Sequence, residues 1–346
     1  MRPFNIIKPD QRIRADLQSK VDNLTKPKGS LGMLEYLAIH LGVIQQSLTP
    51  ELKNPHHVVF AADHGVVEEN ISASPKEVTR QMVYNFQAGG AGVNFLARQH
   101  NFKLKLVDSG VDFDFSQSEG ELIDMKIRRG TRNYLHEAAM TPQECDLAIE
   151  CGAKMTDLCV GEGCNIISFG EMGITNTSSS SLWMSLLSNI PLEECVGAGS
   201  DASGNIVTHK YSVLKRSVDN YRGDGSPEDV MRYFGGYEMV MTVGAMLRAA
   251  EVGITIIIDG FIMSACALMA SKLNDNFLNY VIFGHVGDEG GHQMLLEQME
   301  ARPILHLGFR LGEGTGAICA YPIIDSAVRM IREMSTFEKV QVTKYF

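Results

Sequence analysis

Segment 310–317 reads Arg-Leu-Gly-Glu-Gly-Thr-Gly-Ala and places one carboxylate, that of Glu313, among three glycines at alternate positions. Glycines let the backbone approach a ligand closely. A glutamate at the mouth of an apolar crevice has its pKa raised by desolvation, which suits a general base near neutral pH. Chemistry alone gives similar weight to a second interpretation, in which Glu313 is a solvated residue of a glycine-rich turn.

Segment 169–181, Phe-Gly-Glu-Met-Gly-Ile-Thr-Asn-Thr-Ser-Ser-Ser-Ser, follows an apolar run and leads into a helix-like stretch. Backbone amides at such a helix start, together with nearby hydroxyl groups, form a cradle for a phosphate. No Gly-Lys-Ser/Thr sequence follows the glycines, so the segment is not a P-loop. A serine-rich N-cap and loop is the commoner origin of this pattern.

Three further patterns are weaker. Segment 196–201, Val-Gly-Ala-Gly-Ser-Asp, lacks the third glycine and the preceding strand of a dinucleotide-binding fingerprint. Asp63 and His64 are adjacent at a strand end, where such a pair is usually a hydrogen-bonded structural one. His285 and His292 would meet on one helix face, but the glycines between them argue against a continuous helix, and metal binding is the minority interpretation.

The polar clusters end short apolar runs that are rich in β-branched residues. Near-continuous apolar runs are typical of strands buried on both faces of a parallel sheet. Helix-period segments lie between them, and one begins with the capping box Thr-Pro-Gln-Glu at 141–144. The predicted strands are 57–62, 104–107, 165–169, 255–258, 280–283 and 303–309, and the helical segments are 75–100, 141–159, 226–252, 261–273 and 292–301.

This alternation predicts an α/β fold with a mostly parallel sheet flanked by helices. In such folds the ligand lies in the crevice outside the carboxyl ends of the strands. The polar clusters follow those ends, so the sequence predicts one composite site. The termini are helical and amphipathic without strands, and we expect a small helical domain from residues 1–50 and 322–346 beside an α/β domain of residues 51–321.

The composition excludes several classes of protein. The chain has 346 residues, 45% of them hydrophobic and 21% charged, which excludes a disordered or fibrous chain. The net charge of −10 argues against nucleic acid or an anionic membrane as the main partner. Its most apolar stretch, 254–270, is too short to cross a membrane. Seven scattered cysteines and an N-terminus without a signal-peptide core predict a cytoplasmic protein with reduced thiols.

Taken together, these motifs closely resemble one family, the nicotinate-nucleotide–dimethylbenzimidazole phosphoribosyltransferases of cobamide lower-ligand assembly. Several long motifs in the same order are far more specific than any single glycine loop. The matching segments are 26–32, 61–66, 75–82, 130–133, 170–174, 235–238, 259–261, 310–317 and 334–337.

The resemblance implies a Rossmann-like sheet for residues 51–321, a small helical domain from both termini, and a dimer. It implies transfer of phosphoribose from nicotinate mononucleotide to an aromatic base, with release of nicotinate and inversion at ribose C1′. Glu313 matches the general base of the family, which takes the proton of the attacking N–H or O–H group. No metal and no organic cofactor are implied.

The resemblance also assigns the remaining site residues to two groups. Those expected to line the aromatic base are Ser72, Gln81, Met82 and Leu311. Those expected to bind the nucleotide and its phosphate are Glu171, Gly173, Ile174, Thr175, Asn176, Thr177, Gly199, Ser200, Lys210, Gly312 and Gly314.

The phosphate end departs from the family pattern. Thr175 stands where the family usually has glycine, and Asp201 replaces the last glycine of a second loop. A carboxylate beside a phosphate is unfavourable unless it turns away. Segment 287–292, Gly-Asp-Glu-Gly-Gly-His, differs from the usual Ser-Ala-Glu-Pro-Gly-His.

Three functions therefore fit the sequence. The first is an active phosphoribosyltransferase that uses 5,6-dimethylbenzimidazole or a related benzimidazole or phenol. The second is a weakly active or non-catalytic subunit of a heterodimer with a paralogue that activates phenolic lower ligands. The third is a nucleotide-binding protein without transfer activity. The sequence favours the first, but it does not separate benzimidazole from phenol, because the base pocket is apolar for both.

Overall fold

The computed structural model describes residues 1–118, 120–197 and 204–344. The strands in these ranges are β1 (His56–Ala62), β2 (Lys103–Gly110), β3 (Ile123–Asp124), β4 (Ile166–Met172), β5 (Thr255–Ile258), β6 (Val281–Phe283), β7 (His285–Val286) and β8 (Leu305–His306). The first six form one sheet in the order β3-β2-β1-β4-β5-β6, in which every neighbouring pair is parallel. The last two form a separate parallel pair.

Helices cover both faces of the larger sheet. They are α1 (Ile13–Asp22), α2 (Met33–Gln45), α3 (Glu77–Gln87), α4 (Gly92–Gln99), α5 (Pro142–Gly161), α6 (Asn176–Ser188), α7 (Leu192–Cys195), α8 (Gly204–Asn220), α9 (Pro227–Phe234), α10 (Tyr237–Glu251), α11 (Phe261–Leu273), α12 (His292–Gln298), α13 (Thr315–Glu333) and α14 (Phe337–Val340). Within the described ranges, no helix is both long enough and apolar enough to cross a membrane.

Alternate strand residues divide the core into two layers. On β1, Val58 and Phe60 pack with helices α5, α6, α10 and α11, whereas Val59 and Ala61 pack with α2, α3, α4 and α13. Every residue of β1 is buried. The near-continuous apolar runs arise because both faces of a parallel sheet must be covered by helices. The predicted α/β fold with a mostly parallel sheet is therefore confirmed.

The strand order places a crevice at one position. It is the doubly wound order 3-2-1-4-5-6, and the chain leaves β1 and β4 toward opposite sides of the sheet. Ligands in such sheets bind outside the carboxyl ends of the strands at this reversal. Asp63 and His64 follow β1, and Glu171 is the last residue but one of β4.

Three of the predicted elements are wrong in extent. Residues 303–309 are not a strand of the main sheet, because only Leu305–His306 is a strand and it pairs with β7. The helical segment 75–100 is two helices, α3 and α4, separated by residues 88–91. Segment 226–252 is also two helices, α9 and α10, which part at the glycines 235 and 236. The sequence pattern gave no indication of β3, which is two residues long.

The terminal helices pack together. Helix α2 contacts both α1 and α13, and Leu24 forms a β-bridge with Thr336. The boundary expected between residues 321 and 322 lies inside α13, which is continuous from Thr315 to Glu333. The division into a helical domain of 1–50 and 322–346 and an α/β domain of 51–321 stays a prediction.

Helices α5 and α10 approach each other closely at Gly152, and this contact gives a test of the packing. A methyl group at Gly152 would overlap the carbonyl oxygen of Met241 on α10. Because rigid backbone lies on both sides, we expect Gly152→Ala to lower the free energy of unfolding by about 1–3 kcal/mol, measured by urea denaturation. Gly161→Ala on the same helix is the matched control, since its methyl group meets no atom within 4 Å. Equal stability of the two variants would contradict this packing.

Candidate active site

A cavity of about 260 Å³ opens at the carboxyl end of β4. The loop after β4, the start of α11, segment 71–82 and segment 310–313 line it. Twelve of the residues predicted for the site lie in its wall: Ser72, Met82, Glu171, Gly173, Ile174, Thr175, Asn176, Thr177, Lys210, Leu311, Gly312 and Glu313. The crevice expected at the strand ends thus joins the two main motifs, which are 140 residues apart in the sequence.

The carboxylate of Glu313 is buried in this cavity. Its Oε2 accepts the backbone N–H of Val93, at the first turn of α4, at 2.9 Å. Only 5% of Glu313 is exposed. Burial raises the pKa of this carboxyl above its ordinary value of 4.5, and the hydrogen bond from Val93 partly opposes that rise. A buried carboxylate with a raised pKa can accept a proton from a bound ligand.

One end of the cavity has the character of an anion site. Lys210 donates to Thr177 Oγ1 at 3.0 Å and forms no ion pair within the described part of the chain. Burial lowers the pKa of this lysine to about 8. The cavity wall here is the N-terminal turn of α6, whose dipole also favours an anion. A buried cation at a helix N-terminus suits a phosphate group.

Thr175 is the N-cap of α6 and has a φ of +80°. This left-handed conformation is natural for glycine and strained for a β-branched residue. It explains physically why glycine is usual at this position. The Thr175 hydroxyl is buried in the cavity wall and has no hydrogen-bond partner among the described residues.

Another part of the cavity wall, called here the apolar end, is formed by side chains without charge. Ile71, Val78 and Met82 line it together with the small residues Ser72 and Ala73. Leu311 projects here with 62% of its surface exposed. Apolar side chains and a flexible methionine can enclose a flat aromatic ring.

Two further carboxylates line the cavity. Glu171 is buried, accepts a hydrogen bond from the amide of Asn176, and has its pKa raised to about 8 by burial and by the nearby charge of Glu238. Glu289 has its pKa raised to about 7, mainly by burial and then by Asp259. Near neutral pH, Glu171 is therefore mostly protonated, so the cavity carries less negative charge than its composition indicates.

Some predicted residues lie elsewhere. Gln81 is exposed on α3 and is not in the cavity wall, since the neighbouring Met82 takes the inward position. Gly314 is buried behind the wall, where its Cα lies against the ring of His57. Gly199 and Ser200, and also Asp201, lie outside the described residues.

The residues of the Asp-His and His-His patterns take separate hydrogen-bond partners elsewhere in the fold. His64 pairs with Glu238 at 2.6 Å, with both side chains fully buried, and Asp63 accepts the backbone N–H of Asp112. His285 lies in β7 and α12 begins only at His292, so no continuous helix joins the two histidines. The side chain of His292 bonds to Ser264. Within ranges 1–118, 120–197 and 204–344, no group of three or more His, Cys, Asp or Glu residues could hold a metal ion.

The sequence reasoning missed several residues of the cavity wall. Ile71, Val78, Ile262, Glu289 and Arg310 line it as well. Ile71 and Val78 gave no chemical signal, because single apolar residues near a turn are common. Arg310 was visible as the first residue of the glycine-rich motif, and Glu289 as an acidic residue in a glycine-rich segment.

Comparison with known proteins agrees with this arrangement. A family model described as "Phosphoribosyltransferase" matches residues 6–342, so the chain is a phosphoribosyltransferase, an enzyme of the pentosyltransferase class. More particularly, the chain belongs to the nicotinate-nucleotide–dimethylbenzimidazole phosphoribosyltransferase family. The family expected from the motifs is thereby confirmed.

The similar proteins cover the whole chain. The Bacteroides fragilis nicotinate-nucleotide–dimethylbenzimidazole phosphoribosyltransferase is 59% identical over 346 residues, which is 100% of both chains. The protein of the same name from Dechloromonas aromatica is 47% identical over 99% of both. The crystal structure of the Thermus thermophilus enzyme superposes with a TM-score of 0.92 at 36% identity, covering 97% of this chain and 100% of that one. These relatives support transfer activity and give no support to a non-catalytic subunit or a mere nucleotide-binding protein.

The strain at Thr175 is directly measurable. We expect Thr175→Gly to raise the free energy of unfolding by about 1 kcal/mol, because it relieves a left-handed conformation that disfavours a Cβ atom. Thr175→Ala is the matched control: it removes the unpartnered hydroxyl but keeps the Cβ atom. Urea denaturation of both variants separates the two effects. Glycine no more stable than alanine would show that the backbone at 175 is unstrained.

Glu171 makes the stability of the fold dependent on pH. Its folded pKa of about 8 lies above the ordinary 4.5, so the folded state retains a proton that the unfolded chain releases between these values. Stability must therefore fall as pH rises through this window. We expect Glu171→Gln to remove this loss, so that the free energy of unfolding of the variant rises relative to that of the wild type as the pH increases.

Denaturation at a series of pH values measures this difference. The exposed Glu297→Gln on α12 serves as the control and should follow the wild type at every pH. A constant difference between Glu171→Gln and the wild type would show that Glu171 is not protonated in the folded state.

Proposed function

We propose that the protein transfers the phosphoribosyl group of nicotinate mononucleotide to 5,6-dimethylbenzimidazole or a related benzimidazole or phenol. The products are the α-ribotide of the base and nicotinate, with inversion at C1′. The observation that carries this proposal is the position of Glu313, whose buried carboxylate lies in one cavity with a cationic end and an apolar end. The family membership and the names of the relatives supply the substrates.

The cationic end suits the phosphate of the nucleotide. Lys210 and the N-terminal turn of α6 provide positive potential, and the Thr175 hydroxyl provides a hydrogen-bond donor. A phosphate beside Lys210 favours the charged ammonium, which offsets the effect of burial on its pKa. Gly173, Ile174, Asn176 and Thr177 complete this part of the wall.

The apolar end suits the acceptor base. Ser72, Met82 and Leu311 enclose the space, and the exposed Leu311 would lose water-accessible surface against an aromatic ring. The hydroxyl of Ser72 can accept a hydrogen bond from a ring N–H or O–H group and so orient the base. Benzimidazole and phenol share the features that this end can recognise, a flat apolar body and one polar edge.

Glu313 is the proposed general base. It removes the proton of the attacking N–H or O–H group while the new bond to C1′ forms from the face opposite the leaving group. The electron pair of the C1′–N bond moves onto the pyridinium ring, which departs as nicotinate with a neutral ring. The leaving group therefore needs no proton. Fixing the two substrates in one cavity supplies much of the rate, because it makes a bimolecular step effectively unimolecular.

Nicotinate release from nicotinate mononucleotide and dimethylbenzimidazole tests this function. We expect Glu313→Gln to lower kcat by about 10²–10⁴-fold, the usual contribution of a positioned base, with little change in nucleotide binding. Glu297→Gln should match the wild type. Wild-type protein that binds the nucleotide but releases no nicotinate, with either dimethylbenzimidazole or phenol, would contradict the proposal.

The pH dependence has a definite sign, and it belongs to the same assay. A general base works only when deprotonated, so kcat should rise with pH through a pKa above the ordinary 4.5 of glutamate. Activity that falls over this range would exclude Glu313 as the base.

The acceptor, the assembly and the location of the protein stay predictions. Parallel assays with dimethylbenzimidazole and phenol distinguish the acceptors. The expected dimer is either a homodimer or a heterodimer with a paralogue, and release that requires an added paralogue would favour the heterodimer. All seven cysteines are free thiols, which supports the predicted cytoplasmic location.

A further inference from the structure

Glu313 has an unusual backbone conformation. Its φ is +61°, and the flanking Gly312 and Gly314 both have a φ of +85°. Three successive left-handed residues form this turn, and Glu313 alone among them carries a Cβ atom. Such a conformation at a non-glycine residue persists only where the surroundings impose it.

The imposing contact comes from the centre of the sheet. Nε2 of His57, on β1, is 2.8 Å from the backbone carbonyl oxygen of Glu313. Nδ1 of the same ring is 2.7 Å from the hydroxyl of Ser168, its partner in register on β4. All three residues are buried.

The carbonyl oxygen of Glu313 fixes the tautomer of His57. A carbonyl oxygen can only accept, so Nε2 must carry the proton and donate it. Burial lowers the pKa of His57 to about 4, so the ring is neutral and Nδ1 accepts the Ser168 hydroxyl. Ser168 thus donates to Nδ1 and orients the ring whose Nε2–H is the donor to Glu313.

The surface of β4 also contacts the turn at Glu313 closely. A methyl group at Gly170, two residues beyond Ser168 on β4, would overlap the carbonyl group of Glu313. A methyl group at Gly314 would overlap the His57 ring. The turn at 312–314 therefore lies directly on β1 and β4, with no room for movement toward the sheet.

We propose that His57, oriented by Ser168, is a positioning residue that holds the backbone of Glu313 so that its carboxylate points into the cavity. This inference rests on the proposed role of Glu313 as the base. The hydrogen bond from Val93 fixes the carboxylate, and the hydrogen bond from His57 fixes the main chain behind it. Neither His57 nor Ser168 is in the cavity wall.

The substitution His57→Leu removes the Nε2–H donor and replaces the ring with an apolar side chain of similar size. With the turn released, we expect kcat to fall by up to about 100-fold, the effect of a misplacement of about 1 Å, while KM for the nucleotide stays within about twofold of the wild type. The reason for this split is that the phosphate end belongs to α6 and Lys210, which His57 does not touch. His57→Gln restores an N–H donor and should recover most of kcat.

The chain offers a matched control in His56. It is equally buried on β1, points to the other face of the sheet, and bonds to Asn54 and Glu162. His56→Leu disturbs the strand to a similar extent without reaching Glu313. We expect its kcat to stay near that of the wild type. Equal losses in His56→Leu and His57→Leu would overturn the proposal and show a general effect on the fold.

Ser168→Ala keeps the test decisive if His57→Leu does not fold. It removes only the hydroxyl that orients the His57 ring, and it should lower kcat in the same direction with KM unchanged. Unchanged kcat in Ser168→Ala, with an active wild type, would also overturn the proposal.

A second readout needs no turnover, and so separates this inference from the proposed function. Carbon-13 NMR of the glutamate carboxyls, assigned with Glu313→Gln, reports the pKa of Glu313. Burial raises the pKa of Glu313 most and the charge of Asp259, after β5, raises it further, whereas the backbone N–H groups of Val93 and Gly92 lower it. The charge of Glu313 in turn raises the pKa of Glu171 on β4. Loss of the Val93 contact in His57→Leu should move the pKa of Glu313 upward, and an unmoved pKa would refute the positioning role even if the wild type showed no transfer.

Discussion

The constraint on which the site depends is the reversal of the chain between β1 and β4. These parallel neighbours send their connections to opposite sides of the sheet, so a crevice opens between the two connections outside the carboxyl ends of the strands. The loop after β4 and the glycine-rich turn before α13 meet in that space. Both strands are buried on both faces, which makes the floor of the crevice rigid and lets side chains of the sheet act as fixed supports.

Burial then decides the electrostatics of the crevice. Several carboxylates and one lysine occupy a small volume, and desolvation disfavours the charged form of each of them. Glu171 responds by holding a proton near neutral pH, whereas Glu313 has a backbone N–H that favours its anion. Glu171 and Glu313 therefore differ in how strongly each holds its proton. The one with the hydrogen bond from Val93 at the α4 N-terminus is the one suited to accept a proton.

The sequence predicted the parallel sheet and most of the cavity wall, for physical reasons that apply residue by residue. Apolar runs such as that of β1 are necessary for a doubly buried strand, and the glycine motif around Glu313 is necessary for a tight turn at a ligand. It did not predict the break between α3 and α4, although segment 88–91, Ala-Gly-Gly-Ala, has the glycine pair that is typical of a turn. Nor did it single out His57 or Val93, since a histidine within an apolar run and a valine amide carry no pattern of their own.

Thr175 and Glu313 show how the same backbone problem is solved in two ways. Both are non-glycine residues in the left-handed region, and both lie in the cavity wall. At position 175 a glycine would fulfil the backbone requirement, and the threonine hydroxyl has no partner in the described structure. At position 313 a glycine would remove the carboxylate itself, so the strain cannot be avoided and must be balanced by contacts. The carbonyl contact to His57 and the glycine at 170 provide that balance. Strain at Glu313 is thus accompanied by support from the sheet, and the conformation of this proposed base depends on β1 and β4 as much as on its own turn.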